Sequence, residues 1–154
     1  MVPDPERSAA PGRGKDMDRW LGDGGMPALS AFGASFTGYG IDAGTGGWAE
    51  ASWKPTALAC NPHGAVQAGV HAVVLDAAMN FAVNAGLPSG DRARATIEMK
   101  TELMRPAEEG AVLAVRGNVA RLARQVAFAE ATVHDAGGRL ISRATGTFLL
   151  HRRD

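Results

Sequence analysis

A single carboxylate, Asp76, falls in the middle of the most apolar stretch of the chain, residues 61–86, where Val66, Val70, Val73, Val74, Leu75, Met79, Phe81 and Val83 leave almost no polar face. The pattern predicts one helix over that span, wrapped by other structure. A charge in such a setting needs a partner, a wet pocket or a chemical task. Ala68 stands eight residues earlier, about 12 Å along the same helix, so the two groups of one chain cannot both reach one small centre. Two such helices meeting antiparallel across a dimer would set the first turn of one against the middle of the other. First-turn N–H groups lack intrahelical acceptors and carry the positive end of the helix dipole, which suits an oxygen gaining negative charge. Gly69 would let a substrate or a second backbone come close. A carboxylate facing that pocket can attack a carbonyl directly or deprotonate a water.

The elements that must position these groups are legible around them. The chain has 154 residues, the size of one domain with a sizeable core, and its 16 Lys plus Arg balance 16 Asp plus Glu. That balance gives no reason to expect a nucleic-acid partner. Cys60 is the only cysteine, which excludes an intramolecular disulfide and a multi-cysteine metal site. No apolar run near the start suits a signal peptide, and Gln67, His71, Asp76 and Asn80 interrupt the apolar stretch. We therefore expect a soluble, cytoplasmic protein with no membrane partner. Residues 1–17 are rich in proline, charge and small side chains and are expected to be disordered. Residues 18–154 are expected to form one domain that includes a glycine-rich N-terminal extension, with a short helix near 27–32 and an extended piece near 36–42.

Residues 48–54 read as a strand closed by Pro55, and Gly86, Pro88 and Gly90 stop the helix. The period then changes. Ala93, Ala95, Ile97, Met99, Thr101 and Leu103 alternate with polar residues, predicting a half-buried strand. Residues 112–119, 126–133 and 140–150 predict three more strands, the last two joined by a hairpin at Asp135-Ala136-Gly137-Gly138. The expected class is α+β, a curved antiparallel sheet wrapped around one long helix, with Ala127, Ala129, Ala131 and Ala144 small enough for the helix to sit close. Open sheet edges and surplus apolar surface point to a homodimer, with a dimer of dimers giving a homotetramer.

The run Asn61-Pro62-His63-Gly64-Ala65-Val66-Gln67-Ala68-Gly69, with Asp76 seven residues further on, resembles the active-site segment of the PaaI-like acyl-CoA thioesterases of the hotdog fold. The stretch from Arg94 through Thr96 and Met99 to Pro106-Ala107 is similar to the second strand of that family, and the likeness spans about residues 38–150. The resemblance implies a thioesterase that hydrolyses an acyl- or aryl-CoA thioester without a cofactor. It implies that Asp76 is nucleophile or general base and that the Ala68 amide forms the oxyanion hole. Asn61 would stand beside the attacking water or the thioester, Gln67 near the thioester carbonyl, and Thr96 where a hydroxyl positions water or Asp76. It also implies a basic group near the start of the strand after Gln125, Arg124 first and Arg121 second, for the phosphates of coenzyme A.

The chain departs from the family pattern in Gln67, where His is commoner, and in Ala68, where the first Gly of a pair is usual. Ala68 keeps its N–H, and its methyl bears on the choice of acyl group. Each residue also has a plainer reading: Asp76 as an acceptor at a subunit interface, Asn61 as a helix N-cap, Gln67 as a structural amide, Thr96 as an ordinary strand residue, and Arg121 and Arg124 as a solvated basic face. His63 and His71 have no metal-ligand spacing, and His71 lies about 140° around the helix from Asp76. The competing functions are a hydratase or dehydratase on the same fold, which would need a histidine paired with the acid, and a non-catalytic acyl-CoA-binding domain.

Overall fold

The computed structural model describes residues 15–44 and 46–153. A short helix α1 (Pro27–Phe32) leads into strands β1 (Ala34–Asp42) and β2 (Gly46–Trp53), followed by the long helix α2 (Ala68–Ala85) and by β3 (Arg92–Leu103), β4 (Leu113–Leu122), β5 (Val126–Asp135) and β6 (Leu140–His151). The strands form one six-stranded sheet in the order β1-β2-β4-β5-β6-β3, with every neighbouring pair antiparallel. α2 carries the chain across the sheet, which is why β3 lands on the edge opposite β1. This is the α+β hotdog fold, a curved sheet packed around a central helix.

Small residues set how near the helix lies. Ala127, Ala129, Ala131 and Ala144 are all buried under α2, as expected, and two glycines go further. A Cβ on Gly117 would stand 2.3 Å from the Ala78 carbonyl oxygen, and one on Gly47 would stand 2.0 Å from that of Ala82. Strands β4 and β2 thus touch the helix backbone to backbone, a closeness that no side chain permits at those positions. By length and composition α2 could cross a membrane, but 67% of its apolar window is buried inside the fold, as in a core helix.

Two expectations are corrected. The helix does not begin at residue 61. The Asn61 Oδ1 accepts the N–H groups of His63 and Ala65 at 3.0 and 3.2 Å, Gly64 adopts φ +83°, and the Val66 N–H donates to the Ala107 carbonyl. Residues 61–67 therefore form a turn pinned to the loop before β4, and helical geometry starts at Ala68. Strand β3 is not half-buried either. None of its residues is buried, and Ile97 and Leu103 are 54% and 46% exposed. It lies at a sheet edge, and register shifts against β6 between Ala93 and Ala95 and between Thr96 and Glu98 reset the alternation.

The glycine-rich extension packs over the C-terminal half of α2. Phe81 is ringed by Trp20, Phe36 and Tyr39 at centroid distances of 5.3, 4.9 and 5.3 Å. The Met17 N–H donates to the Tyr39 hydroxyl at 2.9 Å, and that hydroxyl donates to Asp18 at 2.7 Å. Of the segment expected to be disordered, residues 1–14 lie outside the described residues, and Met17 is buried.

Candidate active site

The sheet buries twelve of the 18 residues of α2. The other six, Ala68, Gly69, Ala72, Val73, Asp76 and Asn80, fall on one stripe. Asp76 is thus half-buried on the uncovered side of the helix and not enclosed, which corrects the expectation of a fully wrapped helix. The Thr96 hydroxyl on β3 donates to Asp76 Oδ1 at 2.8 Å. That bond fixes the carboxylate against the edge strand and leaves its other oxygen for a second partner. Among the described residues, these are the two predicted site residues that a hydrogen bond between side chains joins.

At the start of the helix, the N–H groups of Ala68 and Gly69 have no acceptor among the described residues, whereas those of Val70 and His71 return to the Gln67 carbonyl at 2.9 and 3.3 Å. Gln67 occupies the N-cap position without a side-chain capping bond. Its side chain is exposed and has no hydrogen bond among the described residues. A Cβ added at Gly69 would point into open space. Asn61 caps its own turn and not the helix, since its Oδ1 is engaged there; its Nδ2 has no acceptor among the described residues. Within one chain the Ala68 amide stays about 12 Å from Asp76, two helical turns away.

Arg121 and Arg124 are exposed at the β4–β5 turn. The register runs from Thr96 through Phe148 and Ala127 to Leu122. They therefore lie three strands, or about 14 Å, from the Thr96 row of the same chain. Sequence reasoning missed what holds this turn. Arg152 donates from Nε to the Arg124 carbonyl at 3.0 Å and from a terminal nitrogen to the Ala123 carbonyl at 2.9 Å, while pairing with Asp91 at 3.1 Å. The Asp91 carboxyl is held below its usual pKa by the Arg153 backbone N–H and by the Arg152 guanidinium.

A cleft of about 690 Å³ between Arg105, Val112, Asp135 and Arg139 lies at the other end of the sheet and is lined by none of the predicted site residues. Among the described residues no three His, Cys, Asp or Glu side chains are placed to hold a metal ion.

His71 sits on the buried side of α2, 1% exposed. Its Nδ1 is 2.8 Å from the Ser142 hydroxyl, and the Trp53 ring meets it edge-on at 5.2 Å. Burial lowers its pKa to about 4. Below about pH 6.5 the unfolded chain takes up a proton that the folded chain refuses, so His71 costs stability increasingly as pH falls from about 6.5 to about 4. A His71→Leu/Ser142→Ala double variant removes both polar partners together. Its melting temperature should decline less than the wild-type value between pH 7 and pH 5; parallel curves would rule the linkage out.

Residues 63–142 match the sequence profile of the Thioesterase superfamily, just over half of the chain. The chain belongs to that superfamily. Among solved structures it is similar to a putative thioesterase of Ralstonia eutropha described as phenylacetic acid degradation-related, at 27% identity and a TM-score of 0.72, over 86% of this chain and 98% of that one. It is also similar in fold to AziG of S. sahachiroi, at 22% identity and a TM-score of 0.73 over 83% and 98% of the two chains. The E. coli PaaI protein of the phenylacetic acid degradation operon shares 18% identity and a TM-score of 0.67 over 84% and 86%. No curated protein matches the sequence significantly. Within the superfamily match, Asp76 and Thr96 are the acid and hydroxyl that the fold brings into contact.

Proposed function

We propose that the protein is an acyl-CoA thioesterase, releasing a free acid and coenzyme A from an acyl- or aryl-CoA thioester. The observation that carries this reading is the Thr96–Asp76 hydrogen bond on the uncovered stripe of α2, on a helix whose first N–H groups are unpaired, in a chain of the Thioesterase superfamily. In the proposed homodimer the two stripes meet antiparallel. The Ala68 N–H of one protomer then binds the thioester oxygen over Asp76 of the other. The uncovered stripe of α2 and the exposed edge strand β3 support that assembly, since they leave a sheet edge unpaired and Val73, Ile97 and Leu103 exposed. Pairing of two such dimers would give the homotetramer.

In the hydrolysis, Thr96 orients one carboxylate oxygen of Asp76 while the other removes a proton from water. The water oxygen bonds to the thioester carbon, charge gathers on the carbonyl oxygen at the Ala68 N–H, the carbon–sulfur bond breaks, and the thiolate leaves with a proton. Direct attack by Asp76 would form a mixed anhydride that water then opens, with the same donors in place. The unengaged Nδ2 of Asn61 and the side chain of Gln67 supply further hydrogen bonds to the water and the carbonyl, and Gly69 leaves the space for the thioester. Arg124, with Arg121 beside it, takes the phosphates of coenzyme A. The hydratase reading is weaker because His71 is buried on the opposite side of the helix and bonded to Ser142.

Thiol release measured over aryl, short-chain and medium-chain acyl-CoAs tests the proposal, and no turnover of any would reject it in favour of a binding domain. In the same assay Arg124→Ala should raise KM for CoA esters about fivefold, about 1 kcal/mol of binding, and leave KM for the matching pantetheine thioesters nearly unchanged. Equal effects on both substrates would remove Arg124 from the phosphate site.

A further inference from the structure

One turn beyond Asp76 on the uncovered stripe stands Asn80, half-buried, and the hydrogen bonds around it fix which way its amide points. The logic starts from a backbone group. The Ala93 N–H can only donate, so the Asn84 atom 3.0 Å from it is the carbonyl oxygen. The other end of the Asn84 amide is then the NH₂ group, which donates to the Asn80 backbone carbonyl at 2.9 Å and to the Asn80 side chain at 2.7 Å. The atom receiving that second bond must be Oδ1. Asn80 Nδ2 is left as the outer end of the amide, with no acceptor among the described residues. Asn84 is 3% exposed and tied to both α2 and β3, so this orientation rests on a rigid support.

The residue carrying this fixed donor lies about 40° around the helix from Asp76 and about 6 Å along it. An oxygen on the third carbon of an extended acyl chain, together with a hydrogen bond of about 2.9 Å to Nδ2, spans that separation from a thioester carbon held at Asp76. A half-buried NH₂ group that an alkyl chain covers loses water and gains nothing, whereas an oxygen acceptor replaces the lost bond. Resting on the thioesterase reading above, we propose that Asn80 is a specificity-determining residue that selects acyl groups bearing an oxygen acceptor at the third carbon, 3-oxo or 3-hydroxy, over the unsubstituted chain.

Matched pairs test it: acetoacetyl-CoA against butyryl-CoA, and 3-hydroxyoctanoyl-CoA against octanoyl-CoA, each by thiol release. Wild-type kcat/KM should favour the oxygenated member of each pair by about fivefold or more. Asn80→Ala keeps the Asn80 backbone carbonyl as an acceptor for Asn84, so its support survives. The preference should collapse to about one in this variant. Asn80→Leu, which offers an apolar surface, should favour the unsubstituted chain. Hydrolysis of neither pair together with other CoA thioesters left intact would sink the thioesterase reading itself. Turnover without a wild-type preference, or a preference that Asn80→Ala retains, would overturn the role of Asn80 alone. A weakened dimer in size-exclusion chromatography with the ratio retained would reassign the amide to the subunit contact.

Discussion

Asp76→Asn is expected to lower kcat for the best acyl-CoA by about 100-fold or more, the usual scale for losing a general base, with KM and the melting temperature close to wild type. The substitution keeps the volume of the side chain and an oxygen that can accept the Thr96 hydroxyl at Oδ1; what it removes is the charge. Because the carboxylate sits half-buried on an uncovered stripe, its neutralisation creates no large internal defect. The plainer role makes a different prediction. An Asp76 that only accepted hydrogen bonds at a subunit contact would leave turnover largely intact as asparagine, or lose it together with the dimer. Steady-state kinetics, thermal melting and size-exclusion profiles on both proteins separate these, and near-wild-type kcat would reject the catalytic role.

Thr96 bears on that reading, because the one side-chain hydrogen bond of its hydroxyl among the described residues goes to Asp76. An ordinary strand threonine would earn its place through packing, yet Thr96 is exposed on an edge strand. The single chain holds the two side chains together, and the positioning role that the family resemblance implies for Thr96 is part of the proposal.

How far the fold could be read in advance depended on where neighbours act. α1, the C-terminal end of α2 and strands β4 to β6 follow from local signals: Pro at a helix start, glycines and Pro88 past a helix end, and alternation with a hairpin turn. The start of α2 was hidden because Val66 continues the apolar pattern, although it is buried by pairing with the loop at Ala107. Asn61-Pro62 with Gly64 was the turn signal that could have found the break. The burial of β3 could not be read from its alternation, since its bulges and edge position follow from where the α2 crossover delivers the strand. Gly47 and Gly117, which set the helix-to-sheet distance, look like any glycine until the Ala78 and Ala82 carbonyls are placed against them.

The candidate site divides in the same way. Asp76 stood out by its apolar surroundings, and Thr96 only through family resemblance, because a contact between residues 20 apart needs the strand to return along the helix. Asn80 and Asn84 gave no signal, since their meaning lies in the Ala93 N–H that orients both amides. The Arg152 brace under the β4–β5 turn likewise joins residues far apart in sequence. What a single chain leaves apart is the Ala68 amide and the Asp76 carboxylate.

That separation sets the second large effect. Ala68 is the first residue of α2, and Gln67 before it has φ −65° and ψ 141°, a conformation that a following proline accepts. Proline is well tolerated at this helical position, so Ala68→Pro deletes the one N–H in question at little cost to the helix. Its kcat should fall by about 10²- to 10³-fold, the scale for losing an oxyanion donor. Co-expression with Asp76→Asn then asks whether the two groups come from different chains. If they do, each mixed dimer holds one site with both lesions and one with neither. With random pairing about half of the dimers are mixed, so roughly a quarter of wild-type activity should return from two inactive parents. Differently tagged chains, purified through both tags in turn, should recover about half of wild-type activity per dimer. A site built within one chain gives no recovery, because every protomer then carries a lesion of its own. Mixed dimers as inactive as their parents would refute the shared centre even if both single variants behave as expected.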